Sequence, residues 1–179
     1  MNYNFPKIET ERFKLRQFTE NDLENVYNGL SHPEVIAYYG ISFDSLEATK
    51  EQIIWFRNLE ENKTGIWWAI CSKDEKEFYG AGGLNDIERT NKKAEIGFWL
   101  LPDFWGKGIM KEVMPRICEY GFEKLGLHRI EGFVDSENKN CKNGLAKLDF
   151  NYEGRMKDCE IKDGKYLSLD IYAIIEEEK

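Results

Sequence analysis

Histidine is scarce in this sequence and cysteine is unclustered. Only two histidines, His32 and His128, occur in 179 residues, and neither stands at metal-ligand spacing from a cysteine or from the other, so no metal centre is expected. The four cysteines, Cys71, Cys118, Cys141 and Cys159, form no CxxC pair. The first residues lack the apolar core of a signal peptide, so these thiols read as free rather than as a disulfide framework. No apolar run approaches the roughly 18 residues of a membrane helix, which leaves no membrane partner and a cytoplasmic protein as the expectation. An excess of positive charge is also missing: Lys and Arg number 25 against 33 Asp and Glu, for a formal net charge of −8. Nucleic-acid binding therefore has no bulk electrostatic support, whereas cationic partners such as amines suit the balance. Internal repeats, low-complexity tracts and Pro/Ser-rich linkers are absent, so residues 1–179 are expected to fold as one domain.

What is present is an ordinary globular mixture, 41% hydrophobic and 32% charged, arranged in clear periods. Residues 7–18 read as a first strand with Phe13 and Leu15 on one face. "TEND" (Thr19 to Asp22) has the form of a capping box, and Leu23, Val26, Tyr27 and Leu30 then follow the i, i+3, i+4, i+7 spacing of an amphipathic helix. A second helix is predicted from about Ser45 to Leu59. Three aromatic-rich strands follow, "GIWWAICS", "EFYGAGGLNDI" and "KAEIGFWLL", separated by polar turns. Met110, Val113, Met114, Ile117, Gly121 and Leu125 make one face of a helix that Gly126 can close, although Pro115 inside it removes a hydrogen bond. "HRIEGFVD" is a strand, Asn140 to Leu148 a short helix, and two last strands flank the turn "KDGK". The order predicts an α/β fold with a mixed sheet: a meander of sequential strands and one parallel pair made through the helix.

The junction "LLPDFWGKGIM" carries the chemistry. A buried strand stops at Pro102 and hands over, through Trp105, Gly106, Lys107 and Gly108, to a helix beginning near Ile109 and Met110. A helix start has unpaired N–H groups and partial positive charge, and glycines before it allow close approach of an anion. A tight turn needing glycine only for its geometry is the alternative. The P-loop spacing GxxxxGK[ST] is not met, and the dinucleotide pattern GxGxxG finds Lys111 where its last glycine belongs. An acyl-coenzyme A pyrophosphate loop is the remaining reading.

Three stretches in order, "IETERFKLRQFTENDLENVY", "KAEIGFWLLPDFWGKGIM" and "NKNCKNGLAKLDFNYEG", resemble the GNAT family of N-acetyltransferases, specifically its RimJ/RimL group. The resemblance spans nearly the whole chain. It departs from the family pattern at Trp105, which holds a Gln/Arg position, and at Met110, which holds a small one. Cys141 stands where the group keeps a serine, and Leu145 where many relatives keep a tyrosine. The resemblance implies a three-layer GNAT fold, with a largely antiparallel sheet flanked by helices. It also implies acetyl-CoA as cosubstrate, a primary-amine acceptor (a protein amino terminus such as that of a ribosomal protein, or a small amine or polyamine), no metal, and a homodimer as an arrangement common among similar proteins.

The resemblance further implies that the strand "EIGFWLL" parts from "HRIEGFVD" to admit the pantetheine arm beside Trp99, Leu100 and Leu101. The pyrophosphate would rest on the amides from Trp105 to Met110, and Asn138 would reach the arm from the other side. Cys141 is the candidate proton donor to the leaving thiolate, with a small buried apolar residue as its other reading. Glu95 is the candidate base for the amine and Asp86 its runner-up, while either could be an exposed strand carboxylate. Tyr38 and Tyr39 are candidate walls of the amine site. A non-catalytic acyl-CoA sensor on the same fold is the rival function.

Overall fold

The computed structural model describes residues 4–176. Strands β1 (Ile8–Glu9) and β2 (Phe13–Arg16) lead to helices α1 (Leu23–Leu30), α2 (Pro33–Ile36) and α3 (Leu46–Asn62). The meander β3 (Ile66–Ser72), β4 (Phe78–Glu88) and β5 (Lys93–Leu100) follows, then α4 (Ile109–Glu123), β6 (Arg129–Asp135), α5 (Lys139–Ala146), β7 (Asn151–Lys162) and β8 (Lys165–Ile175). The eight strands form one sheet in the order β1-β2-β3-β4-β5-β6-β8-β7. Every neighbouring pair is antiparallel except β5 and β6, which α4 connects in parallel.

Helices cover both faces, and the sequence shows why. On one face α4 buries Ile109, Val113, Ile117 and Gly121 at four-residue steps against Trp68, Ile70, Leu84 and Ile130 of the sheet. On the other, Val26 and Leu30 of α1 and Ile53, Phe56 and Leu59 of α3 pack on Trp67, Ala69, Ala81 and Trp99. Strand alternation divides β5 between these layers: Ala94 and Ile96 join the α4 core, whereas Trp99 joins the α1/α3 core. Pro115 does not interrupt α4. It sits on the exposed side, where the lost hydrogen bond leaves a carbonyl that water can meet.

Two local differences from the sequence reading have simple causes. The strand expected over 7–18 is broken into β1 and β2 by a turn in which Thr10 N–H donates to Phe13 O at 2.9 Å and Thr10 Oγ1 accepts from Phe13 N–H at 3.0 Å. α2 is a single turn, too short for periodicity to reveal. Pro33 at its first position and the His32 imidazole, which accepts from Glu34 N–H at 3.3 Å, start it.

Candidate functional site

β5 and β6 meet over three rungs only, Lys93↔Arg129, Ala94↔Ile130 and Glu95↔Glu131. Beyond them β5 continues to Leu100 and β6 to Asp135 with no further pairing between the two. The strands thus open a wedge in the middle of the sheet, and the backbone edges facing it lack strand partners. Backbone direction alternates along β5. Leu101 N–H donates to Tyr79 O of β4 at 2.9 Å, so the groups of Trp99 also face β4, while those of Phe98 and Leu100 face the wedge. Trp105 Nε1 donates to Leu100 O at 2.9 Å, closing the wide end of the wedge with an indole.

After Leu101 the chain makes a single 3-10 turn, Pro102–Phe104, and then the glycine loop. Gly106 and Gly108 take φ of 71° and 76°, the left-handed region that side chains resist. Gly108 is the N-cap of α4 and supplies no side-chain cap, so the first N–H groups of a 15-residue helix have no cap. Trp105 is 42% exposed, and Lys107 Nζ lies 5.2 Å from the Phe104 ring centroid. Met110 Sδ is 3.1 Å from where a Cβ on Gly144 would stand, so the start of α4 abuts α5. Asn138 caps α5, its Oδ1 accepting from Cys141 N–H at 3.0 Å. Cys141 lies one turn before Gly144, on the stretch of α5 that meets Met110, and burial pushes its thiol up to about 11. Leu145 is buried core.

The opposite face of the wedge carries carboxylates. Glu95 sits at the apex, on the last rung. Burial first, then the neighbouring Asp86, Glu131 and Glu160, raises its carboxyl from an ordinary 4.5 to about 7. Among the described residues no cation pairs with it. Glu131 differs although it is directly across. Burial would raise it, but hydrogen bonds from Arg129 Nε (2.8 Å) and Lys93 Nζ (3.1 Å) hold its carboxyl below the usual range. Two facing carboxyls with opposite shifts mark Glu95 as the one able to exchange a proton near neutrality. Asp86 is exposed, accepts from Asn85 Nδ2 at 2.8 Å, and takes φ of 50° where β4 shifts register against β5.

Tyr39 is half-buried, and its hydroxyl is held well above its ordinary pKa by burial and by Glu95; Tyr38 is exposed. The segment bearing both is tied down from the far edge of the sheet. Lys162 Nζ, at the tip of the β7–β8 hairpin, donates to the carbonyls of Ile36, Ala37 (3.0 Å) and Tyr39 (3.1 Å). A cleft of about 470 Å³ lies nearby, between the α1–α2 connection and residues 101–103.

The structure thus brings the glycine loop, Met110, Asn138 and Cys141 together on the α4/α5 side, and Glu95, Asp86 and Tyr39 together on the other. In the sequence Arg12, Glu131 and Glu160 stand only as parts of predicted strands, and Lys162 only as part of the turn "KDGK". Arg12 belongs to the loop: its Nη1 donates to Lys107 O at 3.1 Å. No local spacing signals these four, because each acts on a partner distant in the chain.

Comparison with known proteins bears on the family and the fold. Residues 12–151 match the family described as "Acetyltransferase (GNAT) domain". An uncharacterised N-acetyltransferase, YoaA, of Bacillus subtilis (strain 168) is 34% identical over 172 residues, covering 96% of this chain and 97% of its own. A structure of RimL, a ribosomal-protein α-N-acetyltransferase in complex with coenzyme A, superposes with a TM-score of 0.85 at 22% identity, covering 95% of this chain and 98% of the other. Spermidine N-acetyltransferase of Vibrio cholerae, in complex with CoA and spermine, gives 0.81 at 20% identity over 91% of this chain and 95% of the other.

Proposed function

Because the chain belongs to the GNAT acetyltransferase family, we propose that it moves the acetyl group of acetyl-CoA to a primary amine by direct attack in a ternary complex. The observation that carries this reading is the two-sided wedge. The glycine loop and the start of α4, against which α5 with Cys141 packs, lie on one face of the sheet, and Glu95, on the last rung before the strands part, lies on the other. Two substrates entering from opposite faces meet where the strands part, with no covalent enzyme intermediate required.

The residues present fit the coenzyme. The uncapped N–H groups at the start of α4 and the glycine loop offer donors to a pyrophosphate, and the wedge-facing backbone groups of Phe98 together with the Leu100 N–H offer amide partners to an extended pantetheine arm, Leu100 O being taken by Trp105. Acetyl-CoA supplies the acetyl thioester. Glu95 takes the proton that an ammonium must lose to become a nucleophile. A backbone N–H of β5 steadies the developing oxyanion. Cys141, whose thiol is protonated at neutral pH, returns a proton to the departing thiolate and regains its own from solvent. The acidic set around Glu95 favours cationic acceptors, in keeping with relatives named for ribosomal-protein termini and for spermidine.

The test is transfer of label from [acetyl-14C]acetyl-CoA into protein and small-molecule fractions of a cell extract. Label in one protein band identifies a protein acceptor, and label in small cations a polyamine-type one. Coenzyme binding without label in either would sink the transferase reading. Two variants check the parts. Gly108→Val forces a branched side chain into φ of 76° and is expected to weaken acetyl-CoA binding at least ~10-fold, from a left-handed strain of about 1–2 kcal/mol plus obstruction. Unchanged affinity by calorimetry would remove the loop assignment. Cys141→Ala is expected to lower kcat by up to about 10² while acetyl-CoA affinity holds; wild-type turnover would return Cys141 to a packing role.

A further inference from the structure

The hydrogen bonds around Arg12 single out a device built into the coenzyme loop. The Glu112 carboxylate lies in the first turn of α4. Its Oε1 accepts from Thr10 Oγ1 (2.6 Å) and Arg12 N–H (2.8 Å), and its Oε2 from Arg12 Nε (2.6 Å). The guanidinium carbon lies over the Phe13 ring, 4.7 Å from its centroid. Held in this way, it directs Nη1 to the Lys107 carbonyl at 3.1 Å, and Nη2 stands 3.5 Å from the site of a Cβ on Gly108.

That one carbonyl matters because of what flanks it. In a trans peptide the C=O and the following N–H point in opposite directions. With Lys107 C=O turned to Arg12, the Gly108 N–H must point away from Arg12. Rotating this unit turns ψ of Lys107 and φ of Gly108, and Gly108, now at φ of 76°, carries no Cβ and accepts either sign of φ, so it offers little steric resistance to a half-turn. A rotated peptide would aim a carbonyl dipole where the loop now aims an N–H. Nothing in the loop's own side chains prevents this: Lys107 Nζ rests over Phe104, and the Trp105 indole is committed to Leu100.

We infer that Arg12 is a positioning residue that locks the Lys107–Gly108 peptide with its N–H toward the coenzyme phosphates, and that Glu112 acts by aiming Arg12. The inference rests on the proposed reading of the loop as the pyrophosphate site. It also carries a sign that charge alone would reverse. Glu112 is an anion beside a polyanion's site, so a purely electrostatic account has its removal tighten binding. A lock has its removal loosen binding, because the guanidinium loses its aim.

Calorimetry of coenzyme A and of phosphate-free pantetheine with wild type, Arg12→Gln, Arg12→Lys and Glu112→Gln separates these. The expected result is weaker coenzyme A binding in all three variants, about 10-fold or more for Arg12→Gln, with pantetheine affinity unchanged and circular dichroism of each folded variant like wild type. Arg12→Lys keeps the charge but loses the planar fork, so it also weakens coenzyme A binding. Coenzyme A affinity in Glu112→Gln equal to or tighter than wild type overturns the lock. So does an Arg12→Lys variant that binds coenzyme A like wild type, or an equal loss for both ligands. Wild-type protein that fails to bind coenzyme A would instead bring down the loop reading itself.

Discussion

Glu95→Gln is expected to reduce kcat/KM by about 10²–10⁴, the span a positioned general base contributes, with acetyl-CoA affinity unchanged. The isostere keeps the shape at the apex of the wedge and removes only the proton-accepting charge. Wild-type activity should rise with pH through about 7, the value to which burial and then Asp86 of β4, Glu131 of β6 and Glu160 of β7 bring this carboxyl. The variant should lose that limb. Stability should move the other way. The folded form binds the Glu95 proton more tightly than the unfolded chain does, since about 7 exceeds the ordinary 4.5. Folding stability is therefore drained as pH rises from about 4.5 to 7, and Glu95→Gln escapes that loss. A variant with near-normal kcat/KM, or with an unshifted pH limb, would transfer the role to another group. A lower melting temperature than wild type at pH 8 would contradict the burial account.

The second large effect falls on folding. Asp22 is 2% exposed and its carboxylate collects four donors: Arg16 Nη1 and Nη2, each at 2.8 Å, Thr19 N–H at 2.8 Å and Thr19 Oγ1 at 3.1 Å. It joins the end of β2 to the start of α1. Asp22→Ala leaves the Arg16 side chain, itself only 16% exposed, with Glu75 (Nε–Oε2 3.2 Å) and Gln17 O as its remaining acceptors, and is expected to cost about 3 kcal/mol, the low end of the range for removing one partner of a buried pair. Urea unfolding measures it, and a loss below about 1 kcal/mol would show that Glu75 and water together compensate Arg16. The carboxyl also sets an acid limit. Burial would raise it, but Arg16 and Thr19 hold it below its ordinary value. Its contribution is present above the unfolded-chain pKa and disappears as pH falls through the folded one.

These two residues illustrate what the sequence disclosed and what it withheld. "TEND" was legible as a capping box because Thr19 and Asp22 are three residues apart; that Asp22 also receives Arg16 across the start of the sheet was not. The face of α4, the meander and the glycine loop were legible for the same reason, being periodic or contiguous. Glu95 could be placed on the face of Trp99 by alternation, but its proton affinity depends on Asp86, Glu131 and Glu160, which only the folded sheet gathers. The break at Thr10 escaped because a polar run in a strand does not announce a turn. Arg12 and Lys162 escaped because their carbonyl partners lie 95 and 126 residues away along the chain. Trp105, an oddity against the family pattern, acquires a use only when Leu100 O is seen to need a donor.

The wedge between β5 and β6 also has a kinetic signature. Along most central strands every amide proton is shielded from solvent exchange by one neighbour or the other. In β5 the protection should alternate: Trp99 and Leu101 are guarded by β4, while Phe98 and Leu100 trade their protons with water as residues on a sheet margin do, although they lie in the fifth of eight strands. A bound pantetheine arm would supply the missing neighbour, so the alternation along one short strand is itself a gauge of whether the coenzyme is seated.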